Sequence, residues 1–309
     1  MVLIVLRTVA ERIPRGYVKV LITGASGFIG RFLTEMVAGL GHEVYALVRN
    51  NVPCFPGRIH QVRADFNDTT WRGCLPGGVD VVIHLAQSRQ YRDFPDGSAD
   101  MFAVNVRATL ELLEWSRKQR VRKLIFSSTG NIYKDKKGLL KESDPCVPSD
   151  MYAATKLCAE HLIQQYSKTF TTIICRLFTV YGPGQKNMLI PNFIERVQKG
   201  IPIVLAQNVG LYLTPIHVMD VCKAMVYLLE NESTRSGSIF NISGDRLISL
   251  KEIVDVISSS LGVKAIIEVT DDEVSFLCGD SYHTSHFLQS FRNIYHGLTE
   301  IIRNGYCQK

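Results

Sequence analysis

From Tyr17 onward, short apolar runs alternate with stretches in which apolar residues recur every three or four positions. Val18 to Ile22 reads as a strand, Phe28 to Leu40 as a helix and Val44 to Val48 as a second strand. The rhythm continues with strands at Val62 to Ala64 and Val79 to Leu85, a helix around Val104 to Arg117, a strand at Lys123 to Ser127, a helix from Tyr152 to Thr169 and a strand at Thr172 to Leu177. Strands that alternate with helices are joined by right-handed crossovers, which predicts an α/β fold with a doubly wound parallel sheet buried on both faces. Past Tyr181 the rhythm breaks at Gly182-Pro183-Gly184. Helical patterns then recur near Asn192 to Lys199, Met219 to Leu229 and Leu250 to Ser260. The expected organisation is an N-terminal extension over 1–16, a sheet domain over 17–180, and a smaller C-terminal substrate-binding cap over 181–309 with segments returning to the sheet.

Composition narrows the function without naming it. Among 309 residues, 35 Lys and Arg against 29 Asp and Glu leave a formal charge of +6. The densest basic stretch, Arg117 to Lys123, reads as a solvated helix end, so no nucleic-acid partner is expected and an anionic small molecule suits the charge better. No apolar run approaches the roughly 18 to 20 residues of a membrane span. The apolar start Val2 to Leu6 is followed by charged residues without a small-residue cleavage site, which points to a cytoplasmic protein. Eight cysteines are scattered without a Cys-x-x-Cys pair. Cys158-x-x-His161 lacks a second pair of ligands, so no metal is expected.

The chemistry begins at Thr23-Gly24-Ala25-Ser26-Gly27-Phe28-Ile29-Gly30, directly after the first strand and opening the first helix. That context makes it a dinucleotide-binding loop: Gly24 for the tight turn, Gly27 for close approach to the pyrophosphate, Gly30 for helix packing, and N–H groups at the helix start. The sheet is therefore expected to be Rossmann-type. After the second strand the sequence has Arg49 where a ribose-binding acid is usual, which favours NADP over NAD because guanidinium matches a 2′-phosphate. Asp65, in Val62-Arg63-Ala64-Asp65-Phe66, reads either as an acceptor for the adenine amino group or as a loop aspartate capping a turn, and Phe66 next to it is expected beside the cofactor. Tyr152 and Lys156 lie four apart on one helical face, where an ammonium favours phenolate and makes the phenol a usable acid or base. Phe126-Ser127-Ser128-Thr129 puts hydroxyls at the carboxyl edge of the sheet, where ligands of such folds bind.

Together with Asp80 to Ala86, Asn105-Val106, Arg176 to Gly184 and Ile216 to Asp220, these stretches make the chain resemble the extended short-chain dehydrogenase/reductases, in their NAD-dependent epimerase/dehydratase group, from about Val18 to at least Asp245. The resemblance implies that Tyr152 is the general acid/base, that Lys156 holds the nicotinamide ribose, and that Thr129 bonds the reacting oxygen. It also implies that Leu85 and Ala86 line the cofactor and that Asn105, counted among the cofactor-binding residues, steadies a neighbouring strand or water. Gln87, Asn131, Thr179 and Asn192 fall on stretches that face the substrate in the family, and the helices around 104–117 and 152–166 on its homodimer contact. Three departures bear on the reaction. Dehydratases carry Asp and Glu after the catalytic threonine, where this chain has Gly130 and Asn131. Thr179 replaces an asparagine, and Leu213 an arginine, both expected at the substrate diphosphate. The expected activity is an NAD(P)-dependent sugar-nucleotide epimerase, with an NADPH-dependent reductase of a carbonyl compound as the alternative; the substrate is a nucleotide sugar or a related polyol.

Overall fold

A computed structural model describes residues 16–50, 55 and 57–306. The expected extension over 1–16 falls, apart from Gly16, outside the described residues. Seven strands form the main sheet: β1 (Lys19–Thr23), β2 (Glu43–Val48), β3 (Ile59–Arg63), β4 (Val81–His84), β5 (Lys123–Thr129), β6 (Thr171–Leu177) and β7 (Ser238–Ile242). Their order is β7-β6-β5-β4-β1-β2-β3. The β1–β2, β1–β4, β2–β3 and β4–β5 pairings are parallel. Val20, Leu21 and Ile22 in β1 and Val82 and Ile83 in β4 have no exposed surface, as expected of strands covered on both faces. The sheet is the Rossmann-type doubly wound sheet of the sequence reading, with flanking helices.

The chain divides into two compact units whose segments interleave. The first runs to Ser127 and adds Asp150–Ile174 and Met225–Ser238; the second comprises Ser128–Ser149, Cys175–Ala224 and the chain from Ile239 on. The segment Ser128–Ser149 thus lies in the second unit, although it precedes residue 180.

Three helices of the first unit position its chemistry. Helix α1 (Phe28–Gly39) follows the glycine loop. The helix expected from Val104 starts earlier, at Ser98–Met101, passes through a widened π-type turn at Phe102–Arg107, and continues as α2 (Ala108–Lys118). The wide turn buries Val104 and Asn105, and Thr109 is buried just beyond it in α2; such turns concentrate at functional sites. Helix α3 (Met151–Gln165) begins at Asp150, whose carboxylate accepts from the Ala153 N–H at 2.7 Å and satisfies one of the orphan donors of the first turn.

In the second unit, strands at Leu139–Leu140, Leu211–Leu213, Ile248–Ser249 and Ser275–Gly279 form a four-stranded sheet. Its core joins Ile190, Ile194 and Val197 with Ile253, Val254 and Ile257 and with Leu298, Ile301 and Ile302. The helix Leu250–Leu261 opens with a reciprocal cap between Ser249 and Glu252 and closes on Gly262 at φ +67°.

Candidate active site

At the carboxyl end of β1 the chain turns at Gly24, whose φ is +68°. A Cβ there would sit 2.8 Å from the Ala86 nitrogen, and one at Gly30 would collide with the Gly24 carbonyl oxygen. The Gly27 N–H closes the turn on that carbonyl at 2.9 Å. Helix α1 then starts with no side-chain cap and no acidic residue in its first turn, so its positive dipole end meets nothing negative from its own side chains. This cradle, which any side chain would fill, fits a dinucleotide pyrophosphate. Ser26, Phe28 and Ile29 are half-buried around it, as are Leu85 and Ala86 after β4.

At the ends of β2 and β3 Arg49 is exposed, and so is Arg63, the register partner of Val48. Asp65 is half-buried, and its Oδ1 accepts from the Asn67 N–H at 3.0 Å, capping the turn. Phe66, expected beside the cofactor, directs its ring into the core, with its centroid 4.5 Å from that of Trp71 and 6.0 Å from that of His84.

On α3 the Tyr152 hydroxyl donates to Gln87 Oε1 at 3.0 Å. The phenol is half-buried and Gln87 is exposed. One turn on, Lys156 is 2% exposed. Its Nζ donates to the Ser127 carbonyl at 2.5 Å and lies 4.1 Å from the centre of the Phe126 ring. Burial pulls the amine down from 10.5 to about 7, against the opposing pull of Glu160. Asn105, also expected at the cofactor, is buried, with both ends of its amide engaged by protein: Oδ1 accepts from the Ser88 N–H at 2.9 Å and Nδ2 donates to Thr155 Oγ1 at 3.0 Å. It ties the loop after β4 to α3.

In the second unit, Thr129 Oγ1 accepts from the Asn131 N–H at 3.2 Å and caps the short turn Gly130–Ile132. Asn131 and Asn192 are exposed. Thr179 has φ +31° and follows Phe178, which has no exposed surface. Leu213 is 1% exposed and belongs to the apolar core of its unit, so no cation occupies that position.

One buried group received no role in the sequence reading. His84 pairs in register with Thr23 and has no exposed surface. The available signal was an imidazole inside the otherwise apolar run Val81-Val82-Ile83-His84-Leu85, since a buried polar group must be bonded.

The glycine cradle at β1 and the Tyr152/Lys156 helix on a parallel Rossmann-type sheet define an enzyme of the extended short-chain dehydrogenase/reductase class. The chain belongs to the NAD dependent epimerase/dehydratase family, which residues 20–243 match. It is 27% identical over 270 residues to an uncharacterized UDP-glucose epimerase of Bacillus subtilis, covering 82% of this chain and 85% of that protein. It is 27% identical over 266 residues to UDP-glucose 4-epimerase of Corynebacterium glutamicum, covering 77% and 79%. Among solved structures, UDP-glucuronic acid 4-epimerase from Bacillus cereus in complex with UDP-glucuronic acid and NAD superposes with a TM-score of 0.82 at 25% identity, covering 93% of this chain and all of that one (100%). Among the described residues, no helix is long and apolar enough to cross a membrane.

Proposed function

We propose that this chain is a nucleotide-sugar epimerase that uses NAD(P), with Tyr152 as its acid-base group. The observation that carries this reading is the pair on α3: a fully buried amine drawn to about 7, one helical turn beyond a half-buried phenol. Gly24, Ser26, Gly27, Phe28, Ile29 and Gly30 would hold the pyrophosphate, Leu85 and Ala86 would line the nicotinamide half, and Lys156 would hold the ribose. Bound there, the dinucleotide supplies hydride acceptance and return at a sugar carbon. Tyr152 takes the hydroxyl proton from that carbon and gives it back, and Lys156 in its charged form favours the phenolate. Thr129 donates to the reacting oxygen. Gln87, Asn131, Thr179 and Asn192 contact the sugar nucleotide.

One observation supports epimerisation over dehydration, since relatives of both kinds match the chain at similar identity: Gly130 stands where dehydratases place a carboxylate. Arg49 and Arg63 at the ends of β2 and β3, together with Leu213 in place of a cation, support the second reading, an NADPH-dependent reductase. A cytoplasmic homodimer fits either reading; Phe102 and Leu110, 55% and 40% exposed on the helix through residue 118, supply apolar surface for it.

The test is to purify the protein without added cofactor, denature it, and identify any released dinucleotide while assaying UDP-glucose and UDP-glucuronic acid for C4 inversion. Released NAD with inversion that Tyr152→Phe lowers about a hundredfold or more is the expected result. Protein that releases nothing and binds NADPH reversibly turns the assignment to the reductase. Full activity in Tyr152→Phe overturns the acid-base role.

A further inference from the structure

Thr23, His84, Thr109, Asn105 and Thr155 are at most 3% exposed and form a file of hydrogen bonds inside the first unit, which crosses Asn105 from its main-chain carbonyl to its side-chain amide. The Ala86 N–H donates to Thr23 Oγ1 at 3.2 Å, and Thr23 Oγ1 lies 2.7 Å from His84 Nδ1. His84 Nε2 lies 3.0 Å from Thr109 Oγ1, and the Thr109 hydroxyl donates to the Asn105 carbonyl at 2.7 Å. Asn105 Nδ2 donates to Thr155 Oγ1 at 3.0 Å, and the Thr155 hydroxyl donates to the Tyr152 carbonyl at 2.8 Å.

A hydroxyl has one proton, which assigns every direction in the file. Thr109 commits its proton to Asn105, so it accepts from His84, whose proton is on Nε2. Nδ1 is then bare and accepts from Thr23, whose lone pair takes the Ala86 N–H. Burial, reinforced by the charge of Lys156, holds His84 neutral, with its titration lowered to about 3, so the ring keeps one tautomer at any working pH. Phe126 and Phe66 flank it, with centroids 5.4 and 6.0 Å away.

The two ends of the file matter for the chemistry. Ala86 immediately precedes Gln87, the acceptor of the Tyr152 hydroxyl, and the last carbonyl is that of Tyr152 itself. The file therefore braces, from behind, the two residues that meet at the Tyr152 hydroxyl. We propose that His84 is a positioning residue for Tyr152, a single-tautomer link that sets the loop after β4 against the first turn of α3. The proposal rests on the reading of Tyr152 as the acid-base group.

The experiment uses purified full-length protein and two readouts: the ultraviolet phenolate titration of Tyr152, taken as the difference between each protein and its Tyr152→Phe partner, and kcat for UDP-glucose or UDP-glucuronic acid inversion. His84→Phe keeps the aromatic contacts and cuts the file. His84→Gln offers an acceptor and a donor in its place. The expected result for His84→Phe is a Tyr152 midpoint moved by about half a pH unit or more and a kcat lowered about tenfold with KM little changed, both largely restored in His84→Gln. Thr109→Val cuts the same file from α2 and carries the test if His84→Phe fails to fold. Val82→Ala, a core change in β4 outside the file, is the control for lost stability alone. An unmoved midpoint, or one moved as far by Val82→Ala as by the file variants, overturns the proposal. An active Tyr152→Phe overturns instead the reading on which it rests.

Discussion

The ring of Phe178 occupies the space that a side chain at residue 130 would need. A Cβ on Gly130 would lie 2.6 Å from Phe178 Cε1, and one on Gly279 would lie 2.6 Å from Cδ2 of the same ring. Phe178 has no exposed surface, so the ring has no room to retreat. The residue after Thr129 is thereby closed to the carboxylate that dehydratases of the resembled group carry there. Gly130→Ala is expected to destabilise by about 1 to 3 kcal/mol through overpacking, and Phe178→Ala by about 3 to 5 kcal/mol through a cavity. Combined, they should cost at least about 1 kcal/mol less than their sum, because each change relieves the other. Denaturant unfolding of the three variants checks this; strict additivity would mean that the ring does not hold the position.

Lys156 should cost stability while serving activity. Its folded titration lies near 7 against 10.5 for a free lysine. Between those values the unfolded chain binds the proton that the folded one has lost, so stability rises with pH across that window. Lys156→Met lacks this contribution. In cofactor-stripped protein it should melt about 2 °C or more above the parent at pH 6.5, with the gap narrowing toward pH 9.5, while activity falls about a hundredfold or more. Calorimetry at the two pH values measures it; a parent that melts higher at pH 6.5 would refute it.

His84 and His217 are both lowered to about 3, chiefly by burial. The unfolded chain binds their protons first, so their contribution is complete above about 6.5 and is lost as pH falls from there toward 3, at about 1.4 kcal/mol per pH unit for each ring. His84→Gln should flatten the acid limb of stability against pH by one proton. Urea unfolding between pH 6.5 and 4.5, compared between parent and variant, reads that slope directly.

Two glycines offer a matched pair for the cradle. Gly30→Ala sets a methyl group against the Gly24 carbonyl oxygen, whereas Gly73→Ala meets nothing within 4 Å. The first should abolish dinucleotide release from denatured protein and lower the melting temperature. The second should be neutral or slightly stabilising, because alanine narrows the unfolded ensemble. Retained dinucleotide in Gly30→Ala would place the binding loop elsewhere.

Periodicity and spacing along the chain were enough for the alternating strands and helices, with β1, β2, β5 and β6 within two residues of their expected ends. They were also enough for the glycine loop and for the shared face of Tyr152 and Lys156. These features are local: each depends on which residues succeed one another over a turn or a strand. The π-type turn was not available that way, because it shifts the buried face by one residue without a break in composition. Nor was the engagement of Asn105 with Ser88 and Thr155, the core packing of Phe66, or the closure of position 130 by Phe178.

The file through His84 shows the reason most clearly. Its links join residues 61, 25 and 50 positions apart in sequence, and hydrogen bonds of that separation are chosen by which strands pair and in what register. The order of residues determined that this chain would build a parallel sheet with a glycine turn and a tyrosine-lysine helix. Only the folded packing decided which buried polar groups would meet, because a buried donor takes whatever acceptor the neighbouring element brings within reach.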